Sequence, residues 1–170
     1  MIRLRPVAEA DVPVLERQHA SPEDAGEMGW YGFKQPSSVA RRIAAGETLT
    51  NDRGTLAVVD EDDNVVGDVS WLRTFNGPPP NGDCWNVGIW LVPEHRGKGY
   101  GSQAQRLLAA YLLEHTYLER IEAGTESGNI AEQKALEKAG FTREGVLRRA
   151  CFRGGEWRDM VVYSKLRGEP

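Results

Sequence analysis

The sequence predicts an α/β domain in which a mixed sheet of about seven strands is covered by helices. Its 170 residues, 40% hydrophobic and 27% charged, are typical of one globular domain spanning residues 1–170. Runs of β-branched residues separated by short polar turns fill the middle of the chain. The second half then alternates strand and helix patterns, and this order favours a sheet with helices packed on it.

The N-terminal part predicts a strand, a helix and an irregular segment. Residues 2–5 alternate apolar and charged side chains, and residues 8–18 carry apolar residues at helical spacing. Residues 21–35 mix proline, glycine, acids and aromatics, and we expect them to be irregular. A second helix is expected to follow Pro36 and to end near Gly46.

The middle of the chain predicts three strands. Residues 56–59 and 65–72 form a hairpin around the polar cluster 60–64, and the proline-rich segment 76–82 is a loop. A further strand is expected over residues 84–92, where Pro93 closes it.

The C-terminal half predicts two helices and three strands. An apolar stripe with a 3.6-residue period indicates a long helix. It comprises Ala104, Leu107, Leu108, Tyr111, Leu112 and His115. A strand over 120–125 and a helix over 129–138 follow, with Gly140 as the residue just past the helix end. Two last strands flank Gly154 and Gly155, which suit a tight hairpin turn.

Composition excludes several function classes. The net charge of -4 disfavours nucleic acid as the main partner, although the basic segment 141–170 keeps a nucleic-acid-binding domain as a remote alternative. No apolar run approaches the length of a membrane helix, so no membrane partner is expected. Two cysteines and a charged N-terminus predict a cytoplasmic protein, and three scattered histidines predict no metal site.

The segment between the third central strand and the long helix indicates an anion site. Glycines at alternate positions let the backbone approach a ligand closely, and free amides at a helix N-terminus attract a pyrophosphate. Neighbouring cationic and hydroxyl side chains add to that attraction. The residues are Arg96, Gly97, Lys98, Gly99, Gly101 and Ser102. The P-loop spacing is absent, and the dinucleotide pattern fails where Ser102 replaces its third glycine.

A third interpretation is an acyl-coenzyme A loop. The run from Arg96 to Gly101 resembles the Arg/Gln-x-x-Gly-x-Gly/Ala signature of the GNAT acetyltransferases. Asn129, followed by a helix that ends in Gly140 and Phe141, resembles a second motif of that family. The C-terminal segment is similar to the branch of ribosomal-protein-type N-terminal acetyltransferases and their small-molecule relatives.

The resemblance implies a fold and a co-substrate site. It implies a mostly antiparallel sheet that splays at strand four, with acetyl-CoA as co-substrate. Leu91 and Val92 would bind the pantetheine arm through their backbone. The anion-site residues named above would hold the pyrophosphate. Asn129 would face the pantetheine or the thioester, and as a good N-cap residue it could also begin the helix.

The resemblance also shows which catalytic groups this chain lacks. Relatives often carry a carboxylate base where this chain has Asn86, and a tyrosine or serine acid where it has Leu136 or Glu132. Asn86 can orient a water but cannot accept a proton. Glu132, one turn into the helix, is our first candidate for a replacement base. An acid near a helix N-terminus is equally favoured on structural grounds.

The acceptor site is expected between the irregular N-terminal segment and the central strands. Acidic and aromatic side chains there would attract a cationic amine and pack its apolar body. The candidates are Glu27, Trp30, Tyr31, Trp71 and Trp85.

The sequence therefore predicts an acetyl-CoA-dependent N-acetyltransferase acting on a primary amine of a small molecule, by direct attack in a ternary complex. A protein N-terminal α-amine is the alternative acceptor. A non-catalytic acyl-CoA-binding module is the alternative from another class. Relatives in this branch often form homodimers, so a homodimer is possible.

Overall fold

Seven strands form a single sheet in this computed structural model, which describes residues 1–33 and 38–169. They are β1 (Arg3–Pro6), β2 (Arg53–Val59), β3 (Val65–Phe75), β4 (Asp83–Leu91), β5 (Arg120–Glu126), β6 (Thr142–Arg153) and β7 (Glu156–Leu166). Their order is β1-β2-β3-β4-β5-β7-β6, with β4 and β5 parallel and the other neighbours antiparallel. The predicted mixed, mostly antiparallel sheet of about seven strands is confirmed.

Both predicted hairpins form, and the turn residues explain why. Between β2 and β3, the Asp60 carboxylate accepts hydrogen bonds from the backbone amides of Asp62 (3.0 Å) and Asn64 (2.9 Å). Between β6 and β7, Gly154 and Gly155 have φ angles of 60° and 82°. Two consecutive positive φ angles give the turn whose twist matches the flanking strands, and glycine adopts them without strain.

The helices are α1 (Val12–Leu15), α2 (Pro22–Ala25), α3 (Ser38–Ala44), α4 (Tyr100–His115) and α5 (Ile130–Lys138). Three 3-10 turns accompany them, at Glu9–Asp11, Glu16–His19 and Pro93–His95. α4 and α5 match their predicted positions, and Gly140 follows α5 with a φ of 89°. α3 ends two residues before Gly46, as expected, whereas Pro36 lies outside the described residues.

The prediction of one continuous helix over residues 8–18 is wrong. The Asp11 carboxylate accepts a hydrogen bond from the Ala8 amide (2.8 Å) and pairs with Arg5 (2.7 Å). These bonds hold a 3-10 turn, after which α1 begins at Val12 with Pro13 in its first turn. The short α2 was not predicted, although Ser21 caps it by accepting a hydrogen bond from the Asp24 amide (3.2 Å).

Helices cover both faces of the sheet, as predicted. Since alternate residues of a strand point to opposite faces, Trp85 and Val87 pack under α4 and α5, while Trp90 packs under α1 and α3. The first face holds the main core with Leu108 and Leu112 of α4. Within residues 1–33 and 38–169, no helix has the length and apolar character needed to cross a membrane.

Candidate active site

A cleft opens where β4 and β5 separate. The two strands pair only over residues 85–87 and 121–123, whereas β4 stays paired with β3 as far as Leu91. A cavity of about 630 Å³ occupies the space between the diverging strands. The splay at strand four implied by the resemblance is therefore present.

The register of β4 determines which backbone groups face this cleft. The Val92 amide donates to the Val66 carbonyl (2.9 Å) and is thus directed toward β3. Because hydrogen-bonding direction alternates along an antiparallel strand, Ile89 and Leu91 direct their amides to the other side, into the cleft. Leu91 therefore has a backbone amide directed into the cleft, as its predicted role requires. The expectation for Val92 is wrong, because its amide already has a partner, and Ile89 takes its place.

The glycine-rich loop leads directly from this edge into α4. Gly97 and Gly99 have φ angles of 73° and 79°, in the left-handed region that glycine adopts most readily. A Cβ added at Gly101 would lie 3.8 Å from both Leu91 Cδ1 and Ala135 Cβ, so the missing side chain leaves room at the cleft wall. Gly97, Gly99 and Gly101 all line the cleft, and the open amides of the first turn of α4 make it a site for an anion.

The polar side chains of the loop also form hydrogen bonds within the protein. The Arg96 guanidinium donates to the backbone carbonyls of Leu91 (2.9 Å) and Asp24 (2.8 Å), so it ties the loop to α2 while it lines the cleft. The Ser102 hydroxyl donates to the Gly99 carbonyl (3.0 Å) and also lines the cleft. Lys98 is exposed and makes no ion pair with any described residue, so its charge is available to an anion.

The N-terminus of α5 forms the opposite wall. The Asn129 side chain accepts a hydrogen bond from the Glu132 amide (3.3 Å), so it caps the helix while also lining the cleft. Burial raises the pKa of the Glu132 carboxyl to about 7, partly offset by the nearby Gln105 amide. Neither Gln105 Nε2 nor Oε1 has a well-formed hydrogen bond within the described part of the chain. Glu132 therefore faces the cleft as a weakly solvated carboxyl that can carry a proton near neutral pH.

Asn86 lies outside this arrangement. It is exposed, it stands opposite Leu72 of β3 and Glu122 of β5, and it does not line the cleft. Its strand is still paired on both sides at that position, before the strands separate. Leu136 is fully buried in the main core, so the usual tyrosine position has no polar group.

The acceptor side of the cleft is built from the segment after α2. Glu27 and Tyr31 line it as expected. Tyr31 contacts Cys151 Sγ through its hydroxyl (3.4 Å), and burial together with this thiol raises the pKa of Tyr31 to about 12. Trp30 instead packs edge-on against Phe33, with ring centroids 5.2 Å apart, and does not line the cleft.

Two other tryptophans do not belong to the acceptor site, contrary to expectation. Trp85 is buried against α4 and donates from Nε1 to the Thr116 hydroxyl (2.9 Å). Trp71 is buried on the same face, where its ring fills the space above Gly54. Both side chains point to the core face of their strands, and neither lines the cleft.

A buried ion pair that the sequence did not indicate holds the acceptor wall in place. The guanidinium of Arg153 forms a short contact with the Glu126 carboxylate and lowers the pKa of that group. Arg153 also donates to the Glu27 carbonyl (2.7 Å) and contacts Met28 Sδ (3.3 Å). The partners are 27 and about 125 residues apart, so no local motif signals them.

Within residues 1–33 and 38–169, no cluster of three or more metal-ligating side chains is present. The described site thus consists of a split sheet edge, a glycine-rich loop at a helix N-terminus and a proton-carrying carboxyl. This combination defines an acyl-transferase type of cleft.

Comparisons with known proteins give the family. Residues 2–142 match the model of the acetyltransferase (GNAT) domain, and the chain belongs to the GNAT acetyltransferase family. It is 35% identical over 105 residues to a probable N-acetyltransferase, YjcK, from Bacillus subtilis, covering 62% of this chain. The match spans 56% of the length of YjcK, little more than half.

Solved structures share the fold at low sequence identity. A GNAT-family acetyltransferase from Bacillus anthracis superposes with a TM-score of 0.79 at 20% identity, covering 99% of this chain and 96% of the other. The spermidine N-acetyltransferase from Vibrio cholerae, solved with CoA and spermine, gives 0.77 at 19% identity, covering 99% and 96%.

Proposed function

We propose that this protein is an acetyl-CoA-dependent N-acetyltransferase that acetylates a primary amine of a small molecule. The observation that carries the proposal is the split between β4 and β5, bordered by unpaired backbone amides and followed by left-handed glycines at the N-terminus of α4. Membership of the GNAT family supports it. The described cleft, of about 630 Å³, has Glu27 and Tyr31 on its acceptor side, and a cavity of this size suits a small amine better than a folded surface.

The residues present fit acetyl-CoA, which supplies the acetyl group as an activated thioester. The amides of Ile89 and Leu91 are placed to pair with the amide groups of a pantetheine arm. The first-turn amides of α4 would hold the pyrophosphate, and the exposed Lys98 ammonium would add attraction from beside the loop. Holding amine and thioester together supplies on the order of 7 kcal/mol or more of the barrier reduction.

Glu132 is the proposed proton acceptor. An amine with a pKa near 10 arrives protonated and must lose a proton before it can attack. Glu132 lines the cleft, and its pKa of about 7 is close to working pH, where a carboxyl both accepts and releases protons readily. Asn129 positions this carboxyl by capping the helix that carries it.

Thiol release from acetyl-CoA with pooled amines tests the proposal. The pools are diamines, amino acids, amino sugars and short peptides with free N-termini. Turnover with a small-molecule pool is the expected result. Turnover with peptides alone would assign a protein N-terminal acceptor instead. Tight acetyl-CoA binding without turnover on any pool would make the protein an acyl-CoA-binding module and overturn the proposal.

A further inference from the structure

A second cavity of about 260 Å³ lies beside the cleft, on the face of the sheet covered by α1 and α3. Gln18, Gly88 and Ile89 border both cavities, so the two meet at the point where β4 leaves β5. The volume is that of a compact polar group and too small for a whole coenzyme. The second cavity is therefore placed to receive one end of an acceptor whose other end reaches the cleft.

Two opposite charges line this second cavity without pairing. Asp68 stands on β3 between Ala57 and Trp90 of the neighbouring strands, and Arg42 reaches in from α3. Within the described part of the chain, no ion pair within 4.0 Å and no hydrogen bond joins the Asp68 carboxylate to another side chain. Arg42 uses Nη2 for the Glu47 carbonyl (3.2 Å) and the Thr55 hydroxyl (3.1 Å).

A half-buried carboxylate without an ion pair is costly, and the nearby Arg42 keeps its Nε buried without a hydrogen-bond partner among the described residues. Burial raises the pKa of Asp68 to about 7 despite the opposing charge of Arg42. The other groups around the pocket are the Gln18 amide, the His19 imidazole, and hydroxyl and apolar side chains. A ligand that brings one positive and one negative group would satisfy both Asp68 and Arg42.

We propose that this cavity binds the zwitterionic head group of an amino acid that carries a second amine on its side chain. The α-ammonium donates to Asp68, the α-carboxylate accepts from Arg42, and the side-chain amine extends past Gly88 to the cleft. The acceptor class is thus a diamino acid such as lysine or ornithine. The identity of the reacting amine rests on the acyl transfer proposed above, whereas binding of the head group does not.

Matched acceptors and variants test each charge separately. L-Lysine is compared with cadaverine, which lacks the carboxylate, and with Nα-acetyl-lysine, which lacks the α-ammonium. Asp68→Asn should raise the KM for lysine about tenfold or more and leave that for Nα-acetyl-lysine nearly unchanged. Arg42→Gln should raise the KM for lysine similarly and leave that for cadaverine nearly unchanged. Asp62→Asn, in the exposed β2–β3 turn, is the control and should change neither.

Calorimetric binding of lysine to the unmodified protein separates this proposal from the catalytic one. Lysine binding that Asp68→Asn abolishes supports the cavity even where no thiol is released. Acetyl-CoA binding by each variant shows that it has folded. Equal KM values for lysine, cadaverine and Nα-acetyl-lysine, or lysine binding that neither Asp68→Asn nor Arg42→Gln weakens, would overturn the proposal.

Discussion

The two walls of the cleft are built on different physical principles. The proposed co-substrate wall, from β4 through the glycine-rich loop to α4, presents backbone amides whose positions are fixed by strand register and left-handed glycines. The acceptor wall, with its adjoining second cavity, relies on side-chain charges gathered from β3, α3, β5 and β6. Backbone recognition is tied to one short stretch of sequence, whereas side-chain recognition depends on distant segments meeting.

Removing the proposed proton acceptor should have the largest effect. Glu132→Gln is expected to lower kcat by about 10²- to 10⁴-fold and to leave the KM for acetyl-CoA unchanged. A base must be ionised, so wild-type kcat should rise with pH through about 7, and that rise should disappear in the variant. Steady-state rates from pH 5.5 to 9 check this, with the exposed Glu114→Gln as control. A variant that keeps both the rate and the rise would exclude Glu132.

Breaking the buried pair on the acceptor wall comes next. Arg153→Met leaves the Glu126 charge buried without a partner and should lower the free energy of unfolding by about 3 kcal/mol. It should raise the KM for the amine and spare that for acetyl-CoA, because Arg153 ties down Glu27 and Met28. Urea unfolding and separate KM measurements check both effects. The double variant Arg153→Met/Glu126→Leu should recover most of the stability, and a failure to do so would argue against the unpaired charge as the cause.

Straining the glycine-rich loop tests the co-substrate wall alone. Gly97 and Gly46 have similar φ angles, 73° and 68°, and a Cβ at either would meet nothing within 4 Å. Gly97→Ala and Gly46→Ala should therefore cost the same stability, about 1 kcal/mol each. Only Gly97→Ala should raise the KM for acetyl-CoA, by about tenfold, since the strain alters amides that face the ligand. Equal KM values in the two variants would contradict a role for the loop.

The smallest effect is expected on the free energy of unfolding, through Asp68 in the second cavity. The folded-state pKa of Asp68, about 7, lies above its ordinary value, so the folded protein holds a proton that the unfolded chain has released. Asp68 thus reduces stability progressively as pH rises from about 4 to 7. Asp68→Asn should raise the free energy of unfolding at pH 8, where the folded carboxyl is ionised despite its raised pKa, and change it little at pH 4. Denaturant titrations at both pH values measure it, and a gain confined to pH 4 would have the wrong sign.

The sequence predicted the strand, glycine-rich turn and helix start of this wall because the information for them is local. A strand pattern, alternate glycines and a helix start lie within about twenty residues, and the structure places them along one edge of the cleft. Even so, the register that turns the Val92 amide toward β3 could not be read from the sequence. The sequence motif that begins at Arg96 predicted a phosphate ligand for this side chain. In the fold, its guanidinium donates hydrogen bonds to two backbone carbonyls, which the motif does not indicate.

The acceptor side was predicted poorly, because the sequence alone does not distinguish an aromatic residue of the core from one that lines a binding site. Trp71 and Trp85 lie on the core face of their strands, which only the pairing of β3 with β4 establishes. Asp68 and Arg42 stand 26 positions apart in segments that gave no chemical signal. The sequence did offer a clue to the burial of Gln105, because this polar residue lies one position from the apolar stripe of α4. In the structure it is buried beside Glu132.

Amide chemical shifts on addition of acetyl-CoA test the proposed site most directly, because particular backbone amides are expected to bind the ligand. We expect the largest changes at Leu91, Ile89, Gly99 and Gly101, with little change at Val92, whose amide is bonded to β3. The same titration of Gly97→Ala should show weaker binding, and that of Gly46→Ala should match the wild type. Shifts confined to the acceptor wall, or none in the glycine-rich loop, would contradict an acetyl-CoA site between β4 and β5.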